Sequence, residues 1–366
     1  SNTDVEGIDI IPVDNLKDII NALEENKWPC LYSRCYIPDV LSGDMPDLID
    51  IKGQEVLKRG VILAVSGFHN ILMTGAAGSG KSMIARCIPG IMPPLTYKES
   101  MELTKIYSVA GTLDTTKGLI TRRPFRSPHQ TISSTALMGG GAIPRPGEVS
   151  LASGGVLFLD ELPEFKRETI ESLRQPMEDK TVTISRVKAA YTFPARFMLV
   201  SARNNCPCGF YPDRKRCKCT SREIYSYQNK ISHPIMDRID IRLEVGPVSY
   251  NELFGDIKGI SSEEARSIIV AARERQAERY WNESFEFNSE IPQGLIEKYI
   301  NVGENEENYL KQIYEESDIS MRGYFRLLRL ARTIADVEGS QDIKRIHIEE
   351  AFFYRNEMEG RKEYLV

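Results

Sequence analysis

Eight consecutive residues, Gly75-Ala76-Ala77-Gly78-Ser79-Gly80-Lys81-Ser82, fill the pattern G-x-x-x-x-G-K-[S/T] at each fixed position. The apolar run Ile71-Leu72-Met73 precedes them and the helix-forming run Met83-Ile84-Ala85 follows, which is the strand, loop, helix order a phosphate loop requires. Glycines at 75, 78 and 80 let backbone N–H groups turn inward, and the helix start adds the positive end of its dipole, so the loop can wrap a polyphosphate. Lys81 then reaches the β- and γ-phosphates and Ser82 offers its hydroxyl to Mg²⁺. Residues Gly75 through Ser82, with Met83, are the predicted nucleotide-binding set.

A second group lies in Gly154-Gly155-Val156-Leu157-Phe158-Leu159-Asp160-Glu161. An apolar run of strand length reads as a parallel strand buried on both faces, and it delivers two carboxylates to its C-terminal end. Asp160 would hold Mg²⁺ through water and Glu161 would polarise the attacking water. A strand that merely ends in acids is the alternative, and the phosphate loop earlier in the chain weighs against it. Phe197 to Asn204 is another buried strand pattern, and Asn204 at its end is placed to touch the attacking water or the γ-phosphate; a structural asparagine is the plainer reading.

Cys206, Cys208, Cys217 and Cys219 form two close pairs around a polar, basic loop of Asp213, Arg214, Lys215 and Arg216. Four thiols suit tetrahedral Zn²⁺, although the pairs are C-x-C rather than the commoner C-x₂₋₄-C; reduced structural thiols are the alternative. Arg238 stands just before the strand-like run Ile239 to Val245. Its guanidinium could stabilise transition-state charge at a neighbouring subunit's nucleotide, or pair within the chain with Asp237 or Asp240. Arg322 opens a helix capped by Ser320, where it could fold back onto the phosphates or lie solvated on the surface.

These residues need a frame. With 366 residues, 41% of them apolar and 27% charged, the chain has the balance of a soluble globular protein of two or three domains. Its net charge of −5 gives no bulk basic field, so nucleic-acid contact must be local or assembled by several subunits. No run approaches the ~20 apolar residues of a membrane span and no signal segment opens the chain, so a cytoplasmic location without membrane contact is expected. Seven cysteines, an odd number, argue against a secreted disulfide framework. The opening Ser1-Asn2 reads as the scar of a cleaved tag, which makes a fragment of a longer protein the expectation.

Residues 1–40, with an amphipathic stretch from Leu16 to Leu23 and an irregular run holding Cys30 and Cys35, read as the tail of an upstream domain or a linker. Residues 41–248 alternate strand and helix patterns, including helices from Glu55 to Ser66 and from Leu95 to Gly111. Met138 to Glu148, with three consecutive glycines and two prolines, reads as an exposed functional loop. Leu173 to Asp179 reads as a helix, and 181–191 alternates like a hairpin around Arg186 and Lys188. Residues 249–366 are helical in pattern: a capping box at Ser261 and Glu264 opens a helix to about Tyr280, and later helices start at Pro292, follow Ser320 and run through Tyr354. The expected fold is α/β, a P-loop NTPase core with a parallel sheet followed by a small helical domain.

Several longer runs carry a resemblance: Pro124 to His129, Gly139 to Glu148, Leu157 to Phe165, Cys206-Pro207-Cys208-Gly209, Asp237 to Asp240 and Ala331 to Asp336. On these the chain resembles the ComM/YifB group of magnesium-chelatase-like AAA+ ATPases over about residues 46–358. The resemblance implies an AAA+ core with a helical lid, ATP and Mg²⁺ as cofactors, and a self-assembled ring, a hexamer with ATP. It implies that Asn204 is the first sensor, Arg238 the arginine finger and Arg322 the second sensor, and that Pro46 to Gln54, including Ile51, packs against the adenine. It also implies that 138–148 interrupt the helix before the Asp-Glu strand and that 181–191 form a hairpin before the first sensor, both aimed at the ring's centre. The sequence departs from the group at Arg203-Asn204-Asn205, where Met-Asn-Pro is usual, and shows no counterpart of its N-terminal Lon-protease-like domain.

Two function classes follow from likeness. Similarity to the ComM group implies DNA as partner and a motor for branch migration during DNA uptake and recombination. Similarity to chelatase subunits and other AAA+ remodellers implies ATP-driven rearrangement of a protein. Basic residues on the two insertions, Arg145, Arg186 and Lys188, favour the first.

Overall fold

The computed structural model describes residues 45–114, 118–185, 189–246, 259–317 and 319–356, with Ile20 and Leu23. Most of the stretch from Leu16 to Leu23, and Cys30, Cys35, Arg186 and Lys188, lie outside the described residues. In chain order the strands are β1 (Ile71–Gly75), β2 (Phe125–Arg126), β3 (Gly139–Gly140), β4 (Arg145–Pro146), β5 (Val156–Leu159), β6 (Thr181–Ser185), β7 (Ala190–Pro194), β8 (Met198–Arg203) and β9 (Ile241–Val245).

Five of them pair in parallel in the order β2-β5-β8-β1-β9. Parallel pairing requires crossovers that cover both faces, and every residue of β1, β5 and β8 is accordingly buried. Register sets Thr74 beside Arg203 and Leu159 beside Ser201. The loops that follow β1, β5 and β8 therefore leave the same edge of the sheet, which is where ligands gather in open parallel sheets.

The chain divides into two compact units, and Pro94–Arg123 belongs to the smaller. Within it the helix Tyr97–Ala110 opens on a capping box of Thr96 and Glu99 and ends at Gly111 in the left-handed region. Arg123 holds Glu99 by two bonds of 3.0 and 3.2 Å.

In the larger unit the two-residue alternation of strands divides the core. Ile71 and Met73 enter one apolar cluster and Leu72 the other. The first cluster runs from Leu48 to Tyr354 and takes in Val61 of the helix Glu55–Gly67, Ile84 and Ile88 of Lys81–Ile91, Ile269 of Ser262–Arg279 and Ile334 of Met321–Val337. The C-terminal helices thus share a core with the sheet. Phe68 stacks on Phe287 with centroids 4.8 Å apart, and Arg196 and Arg273 lie over Phe287 at 4.8 and 4.7 Å. Arg196 also grips Glu290 and Glu286 at 2.6 and 2.8 Å.

Asp336 is fully buried in this joint, where it meets Arg279 at 2.5 and 2.8 Å, Arg332 at 3.0 Å and Asn288 Nδ2 at 2.8 Å. Removing the carboxylate leaves two guanidinium groups without their counter-charge. Asp336→Ala is therefore expected to lose about 3 kcal/mol of stability, read as a shift in a denaturant midpoint; a midpoint equal to the parent's would show the network to be energetically idle.

One local expectation is met and another needs correction. The helix expected from Leu173 to Asp179 is present as Arg174–Asp179, with buried Leu173 as its N-cap, and a separate short helix, Arg167–Ser172, precedes it. Pro176 is accommodated because it lies in the first turn of this helix, where its missing N–H breaks no ladder bond. The run 138–148 is more ordered than a loop. β3 and β4 pair antiparallel between the short helices Ser134–Met138 and Glu148–Leu151, with Ile143 at the tip 75% exposed. The second hairpin is present as β6 paired with β7, from Thr181 opposite Pro194 to Ser185 opposite Ala190.

Candidate functional site

Three loops converge at the carboxyl edge of the sheet. In the first, Gly78 and Gly80 take φ of +78° and +89°, and a Cβ on either would meet nothing within 4 Å. These glycines serve the turn rather than the space. The helix Lys81–Ile91 starts directly from Gly80, so its uncommitted N–H groups lie at the loop.

Lys81 is buried at the centre. Its Nζ donates to Gly75 O at 2.9 Å, Ala76 O at 2.8 Å, Ser79 Oγ at 3.3 Å and Asn204 Oδ1 at 3.3 Å. Burial holds its pKa below the usual lysine range, with the Asp160 and Glu161 carboxylates working the other way. Ser82 Oγ donates to Asp160 Oδ2 at 2.6 Å. A hydroxyl and a carboxylate oxygen at that separation are the donor set a small hard cation takes, so these residues fit Mg²⁺.

Glu161 comes next with φ +51°, a left-handed value that costs a residue bearing a Cβ about 1 kcal/mol. Its N–H donates to Asp160 Oδ1 at 2.9 Å and its side chain is exposed. Met83 is 43% exposed on the first helical turn. Ile51 is buried in the same cluster as Ile84 and Ile88. It follows a short 3₁₀ turn pinned by Leu48 N–H to Ser262 Oγ, 2.9 Å, and by Ser262 N–H to Asp47 Oδ1, 2.8 Å.

Arg238 and Arg322 lie at the other end of the sheet. Arg238 is 4% exposed, with Nη2 on Glu178 Oε1 at 2.7 Å and Nη1 donating to Pro234 O at 2.6 Å. Arg322 reaches the same Glu178 oxygen at 3.0 Å. Asn70, just before β1, donates from Nδ2 to Arg238 O at 3.0 Å and from its N–H to Asp240 Oδ2 at 3.0 Å. Arg326 closes the group on Asp240 and on Arg238 O. At ~3.3 Å per residue the five residues of β1 set this group well beyond the reach of a guanidinium from Gly75. The structure thus places Arg322 on Glu178, half exposed, and not beside the phosphate loop of its own chain. The intrachain partner of Arg238 is Glu178, neither Asp237 nor Asp240. A cleft of about 700 Å³ opens here, lined by Lys180, Arg326, Arg329 and Arg322 with Glu178 and Asp240.

The four cysteines come together. The Sγ atoms of Cys206, Cys208, Cys217 and Cys219 all lie within 4.8 Å of one another, with Cys206 3.3 Å from Cys208 and 3.7 Å from Cys217.

The family model for magnesium chelatase, subunit ChlI, matches residues 47–253, and that for the subunit's C-terminal part matches residues 259–355. The chain belongs to this family. Its domain is an AAA+ fold, seen here as the five-stranded parallel sheet followed by helices. Among relatives, the uncharacterized protein YifB of Salmonella typhimurium is 41% identical over 311 residues, 84% of this chain and 60% of its own length. Competence protein ComM of Haemophilus influenzae is 39% identical with the same coverage. DNA replication licensing factor Mcm6 of Drosophila melanogaster is 22% identical over 362 residues, 92% of this chain and 40% of that protein. The chain thus spans about 60% of the length of YifB and ComM. Among the described residues, no helix is long and apolar enough to cross a membrane.

Within this magnesium-chelatase-like chain, three contacts escaped sequence reasoning. Glu178 lies in a short helix without a motif, and no spacing marks it. Arg203 donates from Nε to Thr74 Oγ1 at 3.1 Å and from Nη1 to Gln228 O at 3.3 Å. It ties the end of β8 to β1, and burial lowers its pKa to about 10. The third is a bond of 2.9 Å from Ala77 N–H to Gly209 O; a glycine directly after Cys-Pro-Cys was the available signal for a tight turn there.

Proposed function

We propose that this chain is a Mg²⁺-dependent ATPase whose catalytic centre is completed between copies of itself, and that the assembly acts on DNA. The observation carrying this reading is the meeting of Lys81, Ser82, Asp160 and Asn204 at one sheet edge while Arg238 and Arg322 share Glu178 at the other. Gly75 to Ser82 cradle the phosphates, with Met83 and Ile51 beside the nucleoside. Ser82 and Asp160 hold Mg²⁺, which neutralises phosphate charge when bound. Glu161 draws a proton from the attacking water and Asn204 orients that water. Arg238 and Arg322 are too far from their own loop to serve it, so they serve a neighbour's. A ring gives every copy both halves of a centre, and a hexamer is the size the AAA+ resemblance implies.

The DNA reading is supported by likeness to a competence protein and a DNA replication licensing factor. It is further supported by exposed Arg145 near the β3–β4 tip, and in sequence by Arg186 and Lys188. Phosphate contacts of this kind are indifferent to base sequence and weaken with salt, by about 10³ or more between 50 and 200 mM for six or more contacts. Replacing Arg145, Arg186 and Lys188 together by Ala is expected to leave basal ATP hydrolysis largely intact and to remove its stimulation by forked DNA. A triple variant that still responds to DNA as the parent does, while losing the effect of a protein partner, would put chelatase-like protein remodelling in place of the DNA reading.

A further inference from the structure

The cysteine loop is joined to the phosphate loop. Asn204, whose Oδ1 touches Lys81, is separated from Cys206 by one residue. The loop 206–219 then returns to the nucleotide edge, where Gly209 O accepts the N–H of Ala77 at 2.9 Å. Gly209 has φ +79°, and a Cβ on it would stand 3.0 Å from Ala77 Cβ and 3.8 Å from Asn204 Nδ2. Glycine is therefore required here for both conformation and space.

The loop has little of its own to hold it. Its buried apolar cluster is Cys206, Cys217 and Ile224, flanked by Phe210, Tyr211 and Cys219, while Asp213 to Arg216 are exposed. So small a core rarely folds without a staple. With Zn–S near 2.3 Å, sulfurs on a tetrahedral Zn²⁺ sit about 3.8 Å apart, and the four sulfurs already lie within 4.8 Å of one another. Tyr211 N–H points at Cys206 Sγ at 3.4 Å, the kind of outer donor that steadies a metal-bound thiolate.

We propose that Cys206, Cys208, Cys217 and Cys219 bind one Zn²⁺, and that the metal-closed loop braces the phosphate loop through Gly209 and keeps Asn204 turned to Lys81. The site is structural: four thiolates fill a tetrahedron and leave no position for water. Thiols lose their protons on binding, and the binding free energy becomes folding free energy of the loop. The metal and the brace stand independently of the function proposed above; only the consequence for nucleotide affinity rests on that reading.

Metal analysis of protein purified without chelator should find about one Zn²⁺ per chain. Cys208→Ser with Cys219→Ser should contain none, exchange the backbone amides of 75–80 at least tenfold faster, and bind ADP about tenfold more weakly while keeping its far-UV circular dichroism. Gly209→Ala separates the two parts, because it should keep its zinc yet show the faster exchange and weaker binding. Absence of metal with four freely titratable thiols would overturn the site. Zinc in the parent with unaltered exchange in both variants would overturn the brace. A parent that holds zinc and binds no nucleotide would instead sink the ATPase reading, and amide exchange would still decide the brace.

Discussion

Lys81→Ala should abolish binding of ADP and ATP, whereas Glu161→Gln should bind ATP like the parent and turn it over about 10²–10⁴-fold more slowly. The separation follows from position. The Lys81 ammonium gathers Gly75 O, Ala76 O, Ser79 Oγ and Asn204 Oδ1 around one point, so its loss leaves a cluster of oxygens that repels phosphate. The Glu161 side chain is exposed beyond the strand, and its backbone bond to Asp160 survives the change to Gln. Isothermal titration for binding and phosphate release for turnover check the pair. Equal loss of binding in both variants would show the roles to be wrongly assigned.

Arg238→Ala should bind ATP and hydrolyse it at least about 10³-fold more slowly, the scale on which an arginine finger acts. Mixed with Lys81→Ala protein it should recover activity, since some boundaries between copies then join an intact phosphate loop to an intact Arg238. Arg322→Ala should behave alike with a smaller loss, being 48% exposed and sharing Glu178 from the outside. The fold should tolerate the change at 238, because Glu178 keeps Arg322 as partner and is itself 38% exposed. Hydrolysis by the mixture is to be measured at high protein concentration with ATP, where assembly is favoured. Failure of rescue between variants that still assemble would mean that Arg238 works within its own chain.

What the sequence made legible was whatever rests on local chemistry. Gly80 before Lys81 marks a turn, four apolar residues before Asp160 mark a buried strand, and Ser261 with Glu264 marks a helix start; the structure has all three where the sequence places them. The proximity of Asn204 to Lys81 was also within reach, because parallel strands must end at one edge. The whereabouts of Arg322 were not. A helix-start arginine has no local signature that tells one sheet edge from the other, and the deciding contact, Glu178, comes from a distant part of the chain. The bond from Ala77 to Gly209 was hidden for the same reason: neither residue carries a side chain whose chemistry announces a partner.

The cluster that runs from Leu48 to Tyr354 has a mechanical meaning. A lid on a free hinge swings because opening it wets little oily surface. Here opening would part Phe68 from Phe287 and unclasp Arg196 from Glu290, so swinging the C-terminal helices away from the sheet costs more than turning a free hinge. In the ring proposed above, each copy would have one nucleotide at the carboxyl edge of its sheet and its neighbour's at the end that carries Arg238. Such a ring would be expected to pass a displacement begun at one fuel site on to the next copy.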